Sequence, residues 1–493
     1  MNLIELCKAA NIECGCKSVE IKGIKSNSEK VEKGDLFVCV SGLKNDGHLF
    51  VKEAQKRGAA AILAEKQVDS DLPTVYAANT RKVLPLICDA VCGYPSKKLK
   101  LVAVTGTNGK TSITYLLKSI FESAMIKSGL IGTVSCFSGD KVVSKKQADS
   151  LSNMTTPDPE ELFEMLATMA DDGVEYVFME TSSHALALEK LNGLEFEAAI
   201  FTNLTPEHLD FHKSMEEYFA AKKKLFEKSK KNIINVDDPY GKKLFDLYGK
   251  NSVGCSLSKK CCDYFADDII DNGISGSSYR LVSHGKQFSV KSALVGKFNI
   301  MNTLQAAACA SELGISPGEI KRAIASMNGV KGRLERVRTG EITDYSVFVD
   351  YAHTPDALEN LLETMSNIRE CHRRIVLVFG CGGDRDKSKR RKMGEIAARY
   401  SDFTVVTSDN SRSENPTEII SEIISGMSGS TYKVIENRKE AIEYVIKNAR
   451  KGDIILLAGK GHEEYEIDRS GKHFFDEKKI VTDAVKKYCI EEK

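Results

Sequence analysis

The 493-residue chain sets 70 basic against 69 acidic side chains and carries nine histidines, 14 cysteines and no tryptophan. A chain so nearly neutral has no global field with which to hold a polyanion, which argues against nucleic acid as a partner. The length corresponds to about three domains, each able to bury a core without disulfides. The scattered cysteines, with no Cys-x-x-Cys pair, therefore read as thiols of a reducing cytoplasm.

The amino terminus, Met1-Asn2-Leu3-Ile4-Glu5-Leu6, has no basic region before an apolar core, and no later run approaches the roughly 20 apolar residues of a membrane span. A cytoplasmic protein, monomeric and off the membrane, is the expectation. Residues 1–98 read as a small α/β unit, with a strand in Asp35-Leu36-Phe37-Val38-Cys39-Val40 and a helix over 51–57 before Gly58-Ala59-Ala60-Ala61-Ile62-Leu63. Tyr94-Pro95-Ser96 then punctuates the chain. From residue 99 to 331, apolar strands at 102–104, 176–179, 198–201 and 233–236 alternate with helical stretches, as in a parallel sheet covered by helices. The polar stretch 251–285 reads as an irregular insertion or hairpin, and helices follow near 302–313 and 316–327. Gly329-Val330-Lys331-Gly332 reads as a hinge. Over 332–493 the alternation restarts, with strands at 346–349, 375–379, 403–406 and 454–457. The basic run Lys387-Ser388-Lys389-Arg390-Arg391-Lys392 reads as a solvated loop and helix start. The whole is an α/β chain of three domains, a central parallel-sheet domain flanked by an N-terminal α/β domain and a C-terminal Rossmann-like one.

The chemistry concentrates where strands end. Leu101-Val102-Ala103-Val104 runs into Thr105-Gly106-Thr107-Asn108-Gly109-Lys110-Thr111-Ser112, and a helix-like stretch follows. Glycine amides there can close on phosphate oxygens, Lys110 neutralises charge, and a Thr111 or Ser112 hydroxyl can ligate Mg²⁺. The general P-loop pattern would have a glycine at 104, where this chain has Val104. Other strands run into Glu180-Thr181-Ser182-Ser183-His184, Asp350-Tyr351-Ala352-His353, Gly380-Cys381-Gly382-Gly383-Asp384-Arg385, Ser408-Asp409-Asn410 and Gly459-Lys460-Gly461-His462-Glu463. Ligands of open α/β sheets gather beyond such carboxyl ends, so two facing clefts are expected.

Together with Thr202-Asn203-Leu204-Thr205-Pro206-Glu207-His208, Tyr218, Lys222, Gly296-Lys297-Phe298-Asn299, Asn302 and Gly332-Arg333-Leu334-Glu335, these segments resemble the Mur ligase family over essentially the whole chain. The resemblance implies an ATP-dependent ligase of cell-wall precursor synthesis. It moves the γ-phosphate onto a substrate carboxylate, and an amine then displaces phosphate from the acyl phosphate. It implies Mg²⁺ held by Thr111, Glu180, His208 and a Lys222 carbamate, with Lys110, Lys222, His208, Glu180 and His353 catalytic. ATP would lie on Gly106, Thr107, Asn108, Gly109, Lys110, Thr111 and Ser112, with Asn299, Asn302, Arg333 and Asp350 completing its site. The UDP-sugar would meet Asn27, Ser28, Thr155, Thr156, Ser182 and Lys190. The chain departs from the family pattern where Asn27-Ser28-Glu29 stands for Asp-Ser-Arg and where Glu207 stands for aspartate.

Among such ligases, those adding the third residue choose meso-diaminopimelate or L-lysine, which differ by one carboxylate. The diaminopimelate signature is Asp-Asn-Pro-Arg, and here the segment is Asp409-Asn410-Ser411-Arg412. Arg412 favours diaminopimelate, because a planar guanidinium grips a carboxylate through two parallel bonds. Ser411 removes the fixed φ of the proline. Arg385, Gly459 and Glu463 match the remaining contacts, Arg385 toward a carboxylate and Glu463 toward an ammonium. The lysine-adding ligase is the near alternative. A nucleotide-dependent switch acting through partners is the alternative from another class, and it leaves the charged strand ends of the third domain without a task.

Overall fold

The computed structural model describes residues 1–42, 45–144, 155–283, 285–339, 343–368 and 373–491. Three sheets organise them. The first has four parallel strands, Ile24–Lys25, Leu36–Val38, Ala61–Ala64 and Thr74–Tyr76, neighbours in chain order.

The second sheet has a parallel centre in the spatial order Ser252–Ser256, Ser229–Asn235, Phe196–Phe201, Lys100–Thr105, Tyr176–Glu180, Ser128–Ile131. Its middle strands are apolar on both faces because helices cover both. The helices Lys110–Ser123, Lys297–Glu312 and Pro317–Ser326 pack on one side. On the other, Pro159–Asp171 packs against Thr80–Val91 of the first unit, so one continuous apolar cluster joins the two units. The stretch 251–285, expected to be an irregular insertion or hairpin, extends this sheet with Ser252–Ser256 and then the antiparallel hairpin of Tyr264–Asp271 and Ser277–Ser283. Alternation in Ser277–Ser283, which buries Tyr279 and Leu281 between half-exposed neighbours, is the period-two signal that its serine content obscured.

The third sheet orders Glu335–Arg336, Ser346–Asp350, Ile454–Ala458, Ile375–Phe379, Phe403–Val406 and Tyr432–Val434, parallel apart from its first strand. Separate apolar clusters cover its two faces, the doubly wound arrangement. A hairpin, Tyr465–Asp468 with Gly471–Phe474, lies beyond it. Among the described residues no helix is long and apolar enough to cross a membrane.

Two local expectations change. In the run 387–392, Arg390 is fully buried: it donates to Glu414 at 3.1 and 2.9 Å, to Glu422 at 3.0 Å and to the Gly382 carbonyl at 3.3 Å. A guanidinium with that many acceptors tolerates burial, whereas the lysines around it do not need to. In the hinge segment, Gly332 (φ +69°) has no room for a side chain, since a Cβ would lie 2.2 Å from the His462 amide nitrogen. Gly332 is thus packed against the third domain, whereas Gly329 (φ +140°) has open space around it.

Candidate active site

The P-loop owes its shape to two glycines. Gly106 (φ +148°) lies so close to the next strand that a Cβ would be 1.8 Å from Thr202 Oγ1, and at Gly109 (φ +89°) it would be 2.5 Å from Asn302 Oδ1. Asn203 fixes the turn between them: its carbonyl accepts the Thr107 amide and its Oδ1 the Asn108 amide, both at 2.9 Å. The donors that face an anion are therefore the first amides of the helix Lys110–Ser123. Lys110 folds back over the loop, donating to the carbonyls of Gly106 (2.8 Å) and Thr107 (2.7 Å).

Lys222, on the short helix Met215–Lys223, is buried and donates to the same Gly106 carbonyl at 2.9 Å, with the Tyr218 ring 4.6 Å away. Burial, reinforced by the charge of Lys110 and opposed by Glu207, holds its amine well below the usual lysine range. Lys110 is lowered as well, chiefly by burial. Glu207 is pushed up by burial, but His208, Lys110, His353 and Lys222 outweigh that and leave it below the ordinary carboxylate range. Glu180, at the end of its strand, accepts from the Thr133 amide and hydroxyl, both at 2.9 Å. His208 has left-handed backbone (φ +58°), and its ring packs 4.8 Å from that of His184.

The third domain closes the site. Arg333 Nη2 donates to Thr111 Oγ1 at 3.3 Å, and the guanidinium stacks 4.7 Å from the Tyr351 ring. Asp350 accepts the amides of Leu334 (2.6 Å) and Ala352 (2.7 Å), and burial raises its pKa against the opposing charge of Arg333. His353 donates from Nδ1 to the Tyr351 carbonyl at 2.8 Å, leaving Nε2 as the acceptor, and burial and then Lys389 lower its pKa. Asp356 accepts from Asn108 Nδ2 at 2.7 Å and from Thr205 Oγ1 at 3.0 Å, tying the P-loop to the third domain.

These residues surround a cavity of about 610 Å³. Of the expected ATP contacts, Thr107 to Ser112, Asn299, Asn302, Arg333 and Asp350 line it, as do Glu180, His208 and His353; Gly106 and Lys222 lie just behind its wall. Asn302 donates to Asn299 Oδ1 at 3.1 Å, and Asn299 to the Val295 carbonyl at 2.9 Å. Thr155 reaches the cavity beside Thr133, while Thr156 bonds the Glu180 carbonyl (3.0 Å) and the Ser182 amide (2.9 Å). Lys190 pairs with Asp158 at 2.7 Å. Asn27 and Ser28 lie outside the cavity. Ser26 beside them donates to Glu160, two residues beyond Asp158, so their turn adjoins the Lys190 pair.

Arg385 also lines the cavity, but the other expected amino-acid contacts form a second cluster next to it. There Lys460, fully buried, lies 3.3 Å from Asp409 and donates to Asn410 Oδ1 at 3.0 Å. Asn410 Nδ2 donates to Glu463 at 2.8 Å. Burial, and then Asp409, raise the Glu463 pKa. Gly459 (φ +117°) makes room for Asp409, whose Oδ2 would be 2.7 Å from a Cβ. The clusters join where the rings of Tyr351 and His462 meet at a tilt of 46°, centroids 4.9 Å apart. Sequence reasoning missed Thr133, Asn203 and Asp356 as site residues. Each is an ordinary loop or helix-start residue whose role depends on contacts from 47 to 248 positions away.

Family models match three consecutive parts of the chain: the Mur ligase family catalytic domain over 20–87, the Mur ligase middle domain over 104–310, and the Mur ligase glutamate ligase domain over 332–461. The chain belongs to the Mur ligase family. Among curated relatives, this Mur ligase is 44% identical to the UDP-N-acetylmuramoyl-L-alanyl-D-glutamate–2,6-diaminopimelate ligase of Syntrophomonas wolfei over 99% of both chains. It is 43% identical to ligase 1 of the same name from Clostridium acetobutylicum over 96% of each. A solved structure under that name, 30% identical, superposes over 98% of both chains with a TM-score of 0.69. The MurF ligase of Thermotoga maritima, solved in complex with ADP, shares the fold at 18% identity and a TM-score of 0.59, over 96% of this chain and 99% of that one.

Proposed function

We propose that this Mur ligase joins meso-diaminopimelate to UDP-N-acetylmuramoyl-L-alanyl-D-glutamate, converting ATP to ADP and phosphate. The observation that carries this reading is the convergence on one cavity of the P-loop, Glu180 and the third-domain residues Arg333, Asp350 and His353, with Arg412 in the adjoining cluster. The helix amides and Lys110 hold the transferring phosphoryl group, and Arg333 reaches it from across the domain junction. The substrate glutamate carboxylate takes the γ-phosphoryl group from ATP, with ADP as the leaving group, and stays bound as an acyl phosphate, which an exposed site would lose to water. Contacts of Asp356 and Arg333 across the junction close the cavity against that loss.

Among the described residues, no three acids, histidines or cysteines gather to hold a metal alone. Mg²⁺ takes one or two carboxylates and completes its shell with phosphates and water. Thr111, Glu180 and His208 would hold it here, with Lys222 adding an oxygen once its amine has taken up CO₂. Burial lowers the pKa of the Lys222 amine and so favours its neutral form, the only one that undergoes that reaction. Bound Mg²⁺ would neutralise the phosphate and carboxylate oxygens that must approach each other. In the second cluster, Asp409 and Glu463 offer anionic partners to the ammonium of the incoming amino acid, and Arg412 a cationic one to its carboxylate.

The test is ADP release from purified protein given ATP, Mg²⁺ and UDP-N-acetylmuramoyl-L-alanyl-D-glutamate, with meso-diaminopimelate or L-lysine added separately. Release with diaminopimelate alone supports the reading. Release with lysine alone keeps the reaction and replaces the substrate, and silence with both refutes the ligase reading for this pair.

A further inference from the structure

Arg412 is held in an unfavourable backbone conformation. Its φ is +52°, in the left-handed region that non-glycine residues enter only when their surroundings impose it. In a segment reading Asp-Asn-Pro-Arg, the proline would restrict the backbone just before the arginine. Here Ser411 leaves that torsion open, and among the described residues its amide makes no hydrogen bond.

The structure supplies the restraint from elsewhere. The hairpin Tyr465–Asp468 with Gly471–Phe474 reaches over the loop: the Ile467 carbonyl accepts the Arg412 amide at 3.1 Å, and the Ile467 amide donates to Asn410 Oδ1 at 3.0 Å. Arg469, at the hairpin tip, donates from Nε to the Ser413 carbonyl at 3.0 Å. Residues 410, 412 and 413 are thus each bonded to the hairpin. From the opposite side, Asp384 accepts the Ser413 amide (3.2 Å) and hydroxyl (2.6 Å). So gripped, Arg412 places Nη1 on the carbonyls of Gly383 (2.8 Å) and Asn410 (3.3 Å). Its Nε–Nη2 edge makes no bond among the described residues, and that edge is the one a carboxylate would meet in parallel.

We propose that the hairpin performs the positioning that a proline at 411 would otherwise provide, and that Arg469 is a positioning residue for recognition of the distal carboxylate. The proposal rests on the diaminopimelate reading. Arg469 is exposed, and among the described residues its guanidinium makes one hydrogen bond, so removing it leaves the core untouched.

The experiment compares wild type, Arg469→Ala, and Arg469→Ala combined with Ser411→Pro, by steady-state ADP release with meso-diaminopimelate, L-lysine, ATP and UDP-N-acetylmuramoyl-L-alanyl-D-glutamate varied in turn. Wild-type turnover with meso-diaminopimelate is established first; its absence refutes the underlying substrate reading before any variant is judged. Given that turnover, Arg469→Ala raises KM for meso-diaminopimelate about fivefold to tenfold, the scale of one lost positioning bond. Saturated kcat and the KM of the other two substrates stay near wild type, and the preference for diaminopimelate over lysine narrows. The added proline then restores KM. An unchanged KM in Arg469→Ala, a parallel loss for all substrates, or a double variant no better than the single one each overturns the proposal.

Discussion

Asp356 links the third domain to the central one through two hydrogen bonds to a single carboxylate oxygen, one from Asn108 of the P-loop and one from Thr205. Bonds to a charged acceptor are worth about 1.5–3 kcal/mol each when fully formed. Water can replace part of that once the domains separate, so we assign the pair about 2 kcal/mol of closure free energy. Asp356→Ala then shifts the closed-to-open ratio about 30-fold toward open, since 1.4 kcal/mol is a factor of ten. If wild type is mostly closed, the variant is mostly open, and apparent nucleotide affinity falls in proportion to the closed fraction lost. Asp356→Asn, which keeps an acceptor but not the charge, falls between. Small-angle scattering of the nucleotide-free protein reads the opening as a larger radius of gyration, and KM for ATP reads its consequence. A KM for Asp356→Ala within twofold of wild type, with an unchanged scattering profile, would refute the assignment of Asp356 as a latch.

Other consequences are as direct. Lys222→Ala keeps the fold but loses at least about 100-fold in kcat, as expected for a missing charge-stabilising group. Wild-type activity in CO₂-depleted buffer is expected to recover on adding bicarbonate, a response the variant lacks; ADP release checks both. Arg412→Lys raises KM for meso-diaminopimelate at least about tenfold while leaving KM for ATP unchanged, because an ammonium cannot make the paired contact. Arg390→Met leaves Glu414 without its buried partner and costs about 3 kcal/mol, read as a lower denaturant midpoint. The raised pKa of Glu463 means that it protonates at higher pH than an ordinary glutamate and then no longer attracts an ammonium. On lowering the pH, kcat/KM for the amino acid should therefore fall above the usual glutamate range in wild type, with that limb missing from Glu463→Gln.

The strand ends were legible because each couples an apolar run to glycines or charged residues, a pattern carried by a few adjacent positions. Lys110 and Glu180 could be found that way. Lys222 could not be chosen over Lys223 and Lys224 by composition, since only burial against Tyr218 and Gly106 separates them. Arg390 looked like one of several surface cations because Glu414 and Glu422 lie 24 and 32 positions away. Ser411 read as a loss of restraint for the same reason: the hairpin that replaces it begins more than fifty residues later. Short-range patterns thus mark where chemistry can occur, while long-range contacts decide which neighbour performs it.

The Asn203 bonds that fix the Thr107 and Asn108 amides both come from within the central domain. The shape of the loop therefore does not depend on contacts from the third domain. The encounter with ATP and the swing of the third domain become separate events in time. Phosphate capture should follow ATP concentration linearly, whereas the later domain movement should set a ceiling that more ATP cannot raise.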